Sequence, residues 1–276
     1  MEPDRVDKLM AAVEATIRRP RRPRSPAGIR VGLDLGTYYI ALVALDASGR
    51  PLACKLEAAK AVRDGLVVDY MGAVESTRRL KDSVEAMTGV ALEECAIAVP
   101  PGTSVRDCAT HRHVAESAGM EVCSTVDEPV AANMVLGIRD GAVVDIGGGT
   151  TGIAVFRDGE LVHVGDEATG GAHLTLVLAG GLGLTTDEAE EVKRDPARQG
   201  EVLGAVTPVI EKMASITAEH IKGHDVKNVY LVGGTCCLPG MERVMEKALG
   251  IPVHKPVNPL LVTPVGIALS AGNDTE

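Results

Sequence analysis

From Ile29 to Ala53 the chain reads IRVGLDLGTYYIALVALDASGRPLA: an apolar strand ending at Asp34, a turn at Gly36 and Thr37, a second strand, a D-x-S-G turn and a third strand. From Ala142 the same device returns in AVVDIGGGTTGIAVFRDGELVHV, with Asp145 closing the first strand and Asp158-Gly159 turning the hairpin. The two aspartates lie 111 residues apart (145 − 34), a period far longer than a solenoid unit and suited to two copies of one domain. Each trio of strands is followed by alternating helix and strand. In the first copy the pattern predicts a helix over MGAVESTRRLKDSVEAMTGV, a strand at ECAIAV stopped by two prolines, a helix from Ser104, a strand at EVCSTV and a helix announced by Asp127, Glu128 and Pro129. In the second it predicts helices from Gly170 to about Arg194, a long helix from Glu201 to Lys222, the strand KNVYLVGG, a helix from Pro239 and a short strand near Pro252 to His254. Three strands and then alternation give a mixed sheet covered by helices. The expectation is two such units facing one another across a cleft into which both glycine turns open.

Residues 1–18 place Val6, Leu9, Met10, Val13 and Ile17 on one helical stripe, and RRPRRPRSP follows, extended and solvated because its prolines cannot continue a helix. Two readings stand side by side: a disordered leader, or a docking helix on a tether that lays its stripe in a partner's groove.

The glycines from Gly147 to Gly152 form a literal G-x-G-x-x-G, with Asp166 and Glu167 about twenty residues on, the spacing of a dinucleotide-binding fingerprint. That fingerprint must open a helix, whereas here the chain continues as an alternating, β-branched hairpin. Asp145 at the mouth of the loop would also repel a phosphate unless a divalent cation lay between them. The glycines therefore imply close backbone approach to phosphate with a metal beside it. From the residues, Asp34 and Asp145 would hold Mg²⁺, directly or through water, while the amides of Gly36, Thr37, Gly148, Gly149 and Thr150 cradle the β- and γ-phosphates. A tight hairpin alone explains either turn; it does not explain the pair at equivalent places.

Composition narrows the partners. The 276 residues suffice for one large or two modest domains. Aromatic residues make up 2%, with no Trp and one Phe, so stacking platforms for bases or sugars are not expected, and a net charge of −10 argues against general nucleic-acid binding. No segment reaches the ~18 apolar residues of a membrane span, and six cysteines without a C-x-x-C pair read as reduced thiols of a cytoplasmic protein with no structural zinc.

D-L-G-T at 34–37, D-E-P-V-A-A at 127–132, D-I-G-G-G-T-T at 145–151, L-V-G-G-T at 231–235 and V-G-I-A-L-S-A-G at 265–272 resemble, in order, the five motifs of the actin-like and DnaK-type ATPase superfamily. VRDGLVVDYMGAV, PPGT, DEATGGAHLTLVLAGG and DEAEEVK are similar to its ethanolamine-utilization branch, associated with bacterial microcompartments; the resemblance spans about residues 30–270. It implies an α/β fold of two RNase H-like domains with mixed sheets facing an interdomain nucleotide cleft. The boundaries read as a tail over 1–27, a first domain over 28–139 with a C-terminal return over 265–276, and a second domain over 140–264. It further implies ATP with Mg²⁺, slow hydrolysis at most, closure of the halves on the nucleotide as the mechanical output, and a chaperone-like or assembly role toward an ethanolamine catabolic enzyme or a microcompartment shell protein. Nucleic acid and membrane are not expected partners.

By the same resemblance Asp34 and Asp145 are the metal residues, Asp34, Gly36, Thr37, Tyr38, Gly147, Gly148, Gly149 and Thr150 contact the phosphates, and Glu128 and Asp145 are the catalytic pair. Glu128 also has a plain reading as a helix-start carboxylate that caps free amides, and the two are compatible. Glu190 and Lys193 sit one turn apart after a capping box of Thr185 and Glu188. They read either as a solvated ion pair or, through the A-E-x-x-K pattern, as the segment by which bacterial actin relatives hold ribose and adenine. Gly233, Gly234 and Thr235 end a strand where backbone can approach a base or an α-phosphate, and they match the adenosine motif. DnaK carries an arginine at the place of Cys237. The vicinal Cys236 and Cys237 read as fillers of a crowded loop, and the histidines, His111, His113 and His173 included, form no ligand set. No counterpart of the DnaK catalytic lysine lies between the first two motifs, and no peptide-binding domain follows the last. Two alternatives remain: a filament-forming scaffold, and a small-molecule kinase on the same fold with Asp69 as its candidate base.

Overall fold

The computed structural model describes residues 3–58 and 60–272. The chain forms two compact units, Met1–Gly137 with Pro256–Glu276, and Ile138–Lys255.

In the first unit β1 (Arg30–Leu35), β2 (Tyr39–Leu45) and β3 (Pro51–Ala58) form an antiparallel meander, and β6 (Glu94–Val99) and β7 (Glu121–Asp127) add parallel strands, giving the order β3-β2-β1-β6-β7. A two-stranded hairpin, β4 (Val62–Arg63) and β5 (Leu66–Val67), leads into α2 (Tyr70–Thr88), and α3 (Val105–Ser117) joins β6 to β7. Period-two alternation sorts the faces of β1. Val31, Leu33 and Leu35 pack into the core with Ala73, Val74, Leu80 and Val84 of α2 and Val114 and Ala115 of α3. Gly32 points the other way, toward α9 (Val262–Ser270), where an added Cβ would collide with the backbone of Ala268 and stand 2.7 Å from Pro264 O. α9 crosses α4 (Glu128–Leu136) at similarly close range: a Cβ at Gly266 would strike the carbonyl of Ala131. The small residues of the DEPVAA and VGIALSAG motifs thus serve a tight crossing of two helices behind the sheet.

α1 (Pro3–Arg18) corrects the expectation of a disordered leader. It is an ordered helix whose Val6, Met10 and Val13 are buried, and it packs against β3 of its own unit, so the stripe is not free for a partner's groove. Burial of three such side chains is worth several kcal/mol, about 1.5–3 each, enough to dock a helix that would be marginal alone.

The second unit repeats the plan. β8 (Gly141–Ile146), β9 (Thr151–Arg157) and β10 (Glu160–Glu167) form the meander, β11 (Val229–Val232) and β12 (Val253–His254) add parallel strands, and the order is β10-β9-β8-β11-β12. α5 (Gly171–Leu182), α6 (Thr186–Arg194), α7 (Gln199–Ile221) and α8 (Met241–Leu249) bury Leu174, Leu178, Ala189, Val202, Val206, Ile210, Met241 and Met245 against Ala142, Val144 and Ile146. The sequence pattern located the strands of both meanders, the parallel strands and the helices between them to within a few residues; α9 and the β4–β5 hairpin were not predicted.

Candidate functional site

β8 delivers Asp145 to its C-terminal end, 5% exposed, in register with Gly152 of β9 and beside Val232 of β11. The chain leaves β11 through Gly233, whose φ of +91° suits glycine, and a Cβ there would run into Asp145 Oδ1 and Ile146 O. The aspartate is therefore held against bare backbone.

The loop that follows Asp145 has its carbonyls tied down. Gly147 N donates to Thr150 O (2.9 Å). Gly147 O accepts from Gly171 N (3.0 Å) and from the Thr235 hydroxyl (2.6 Å), and Gly148 O accepts from Ala172 N (2.8 Å). A Cβ on Gly170 would come within 2.8 Å of Gly147 O and Gly148 O, so this seat also depends on glycine. With the carbonyls facing the start of α5, the amides of Gly148 and Gly149 have no acceptor among the described residues, although Gly149 is buried. Unpaired buried amides are rare and ask for an external acceptor.

Asp166 on β10 faces the same site. In register, Asp145 opposes Gly152 and Gly152 opposes Asp166, so no side chain stands between the two carboxylates on that face. Asp166 Oδ1 is buried without a hydrogen-bond partner. Burial pushes its carboxyl up to about 7; Asp145 and Glu167 push the same way, while a hydrogen bond from Thr150 opposes them. A buried aspartate, an unpartnered carboxylate oxygen and open glycine amides are a donor set that suits a divalent cation bridged to phosphate.

Glu190 and Lys193 are not the solvated pair of a surface helix. Their side chains are 17% and 13% exposed, and they meet at 2.6 Å. Lys193 also donates to Gly171 O (3.1 Å) and to the Thr175 hydroxyl (2.8 Å), Thr175 donates to Glu190 (2.6 Å), and Arg194 adds a contact to Glu190 (2.7 Å). Burial opposes the Glu190 carboxylate, yet Lys193, Thr175 and Arg194 together hold it below the ordinary value; burial likewise lowers Lys193, with Glu190 offsetting it. The pair latches α6 to the first turn of α5, the same turn that ties down the loop.

In the first unit Asp34 ends β1, opposite Ala41, and is half-buried. A Cβ on Gly36 would stand 2.8 Å from Tyr39 O; Thr37 and Tyr38 complete the turn, both half-buried. Asp127 occupies the N-cap of α4 without a side-chain cap bond, and burial raises its carboxyl; Glu128 is the first helical residue, with Pro129 next. Asp69, the candidate kinase base, is the N-cap of α2 and accepts from Gly72 N (3.0 Å), which accounts for it as a helix start.

All six cysteines are free, and burial raises the Cys236 thiol far above its ordinary value, as an inert filler should behave. Three of the described histidines cluster without forming a ligand set. His163 of β10 and His220 of α7 meet at 3.0 Å, His224 stacks on His163 at 5.2 Å, and a Cβ on Gly165 would invade the His220 ring (2.5 Å). With His163 and His220 57 positions apart in the chain, no local pattern announces the group. Among the described residues no set of three or more His, Cys, Asp or Glu is placed to hold a metal.

Two sheets of identical order, each with an aspartate at the end of its first strand and a glycine turn after it, define an actin-like ATPase fold. The family model for MreB/Mbl proteins matches residues 31–179 and that for the cell division protein FtsA residues 142–266. MreB5 of Spiroplasma citri, solved bound to ADP, shares the fold with a TM-score of 0.68 at 15% identity over 89% of this chain and 96% of that one. Nearer relatives fix the branch. The ethanolamine utilization protein EutJ of Escherichia coli (strain K12) is 40% identical over 270 residues, covering 98% of this chain and 95% of its own. The crystal structure of EutJ from Carboxydothermus hydrogenoformans superposes with a TM-score of 0.91 at 47% identity, covering 98% and 99%. The chain belongs to the EutJ family of ethanolamine utilization proteins.

Proposed function

We propose that this protein binds ATP with Mg²⁺ and uses the nucleotide to change its hold on a protein client, either an ethanolamine catabolic enzyme or a microcompartment shell protein, in the bacterial cytoplasm. The observation that carries the reading is the loop from Gly147 to Thr150, whose carbonyls are tied to α5 and Thr235 while its glycine amides stand open beside a buried aspartate. Asp145 holds the cation; Gly147, Gly148, Gly149 and Thr150 hold phosphate oxygens through backbone N–H groups; Gly233, Gly234 and Thr235 bring backbone to the nucleoside side. Asp34, Gly36, Thr37 and Tyr38 belong to the same nucleotide-binding set, and Glu128 orients water for slow turnover. Bound magnesium supplies charge neutralisation of the phosphates. Lys193 and Glu190 support the site through α5, a role compatible with nucleotide contact.

Isothermal calorimetry with ATP and ADP, with and without Mg²⁺, tests the proposal, followed by phosphate release. Magnesium-dependent binding by the parent and its loss in Asp145→Ala and Asp34→Ala are expected; equal binding by the variants would end the site assignment. Stimulation of phosphate release by an enzyme or shell protein favours the client role, whereas nucleotide-dependent light scattering by the pure protein favours a scaffold.

A further inference from the structure

From the last residue of α1 the chain runs through Arg18, Arg19, Arg21, Arg22 and Arg24, and all five arginines are exposed. None makes an ion pair among the described residues. No acidic residue occurs between Glu14 and Asp34. The strip is also fixed in place. Arg19 N donates to Ala15 O (3.0 Å), Arg21 N donates to Leu52 O on the edge strand β3 (2.7 Å), and Lys55 Nζ reaches Ile17 O (3.5 Å). The Arg22 guanidinium lies against Gly89, the left-handed residue that ends α2. Pro20, Pro23 and Pro26 keep the segment out of a helix. At about 3.1 Å per residue, the five steps from Arg19 to Arg24 reach about 16 Å.

We infer that this arginine strip is a docking surface for a short acidic peptide segment of a partner protein. Guanidinium groups pair carboxylates through two parallel hydrogen bonds, and an anchored, extended backbone has lost most of the freedom that binding would otherwise have to remove. The rest of the chain selects the length of the ligand. Without the five arginines its formal charge is −15 (−10 − 5). A long polyanion such as duplex DNA, or an anionic bilayer, extends past the strip by more than the ~8–10 Å over which salt screens charge, onto a chain whose remaining net charge is negative. A peptide of about six residues matches the strip and stops. The face of α1 that could enter a bilayer is buried on β3, so the strip has no apolar partner signal beside it. None of these arginines is among the residues assigned to the nucleotide, so the proposal stands whether or not nucleotide binds.

Fluorescence anisotropy of a labelled hexaglutamate peptide against the full chain tests it. Saturable binding that weakens with added salt is expected, with a loss of at least about tenfold when Arg18, Arg19, Arg21, Arg22 and Arg24 are all changed to Gln, and no loss when the exposed Arg106 and Arg243 are changed instead. Thermal unfolding checks the five-fold variant; were it to unfold, Arg19→Gln with Arg22→Gln must still weaken binding. Absence of peptide binding, equal binding by the strip variants, or tighter strip-dependent binding of duplex DNA or phosphatidylserine vesicles than of the peptide would overturn the inference.

Discussion

The two sheets of this protein share one strand order and place an aspartate at the end of the first strand, but they surround it with different chemistry. In the first unit Asp34 opposes Ala41, which opposes Leu56; in the second, Asp145 opposes Gly152, which opposes Asp166. The fourth strand exits through Pro100-Pro101 in the first unit and through Gly233-Gly234 in the second. Asp34 is half-buried, whereas Asp145 is 5% exposed with backbone pressed against it. The duplicated frame fixes where a carboxylate stands; the neighbours two strands away decide what it is worth. Replacing Leu by Asp and Ala by Gly in that frame makes a site with two carboxylates, one of which keeps a buried oxygen, Asp166 Oδ1, without a hydrogen-bond partner.

The largest test of this difference is at the strand exits. Gly233→Ala forces a side chain into Asp145 Oδ1 at a positive φ and should lower stability by about 2–4 kcal/mol, while Pro100→Gly in the first unit should cost about 1 kcal/mol or less through the unfolded chain; urea unfolding distinguishes them. A similar loss, about 3 kcal/mol, is expected for Lys193→Met, which strands Glu190 half-satisfied among α5 and α6. Adding Glu190→Leu should recover most of it. If the single change is silent in unfolding yet weakens nucleotide binding, the latch assigned to this pair is wrong.

Asp166 supplies a pH test. Its folded carboxyl titrates at about 7 against an ordinary value of 3.8, so between those values the folded protein holds a proton that the unfolded chain releases. Its contribution to stability falls as pH rises from 3.8 to about 7 and is level above that. Asp166→Leu, the residue the first unit has, should flatten this part of the profile and raise the melting temperature at neutral pH in the absence of ligand. Leu56→Asp should introduce the same fall of stability with rising pH in the first unit. The smallest effect is expected for Thr235→Val, which removes the 2.6 Å bond to Gly147 O: about 1 kcal/mol of stability, with weaker nucleotide binding because the loop carbonyl is no longer held.

Much of the molecule was legible along the chain. Strands ended where Asp34 and Asp145 predicted, Ser104 opened the helix expected from it, and the hairpin after Gly152 excluded a dinucleotide fold. Asp166 was visible for a reason that does not hold: its distance from the glycines fitted a ribose-binding acid, yet strand pairing sets it beside Asp145 instead. The Glu190–Lys193 spacing showed a pair but not its burial, which depends on Thr175 and Gly171 of the preceding helix. His163 and His220 left no trace because strand and helix bring them together.

The sequence by itself determined the periodicities, the turns and the repeated aspartate-glycine device, since each rests on residues a few positions apart and on the backbone geometry they permit. The tertiary structure alone decided that the stripe of α1 closes over β3, that one of two equivalent carboxylates is sealed in and the other half-open, and that two histidines meet. Those outcomes follow from burial and hydrogen bonding among groups distant in the chain, whose solvation no local pattern encodes.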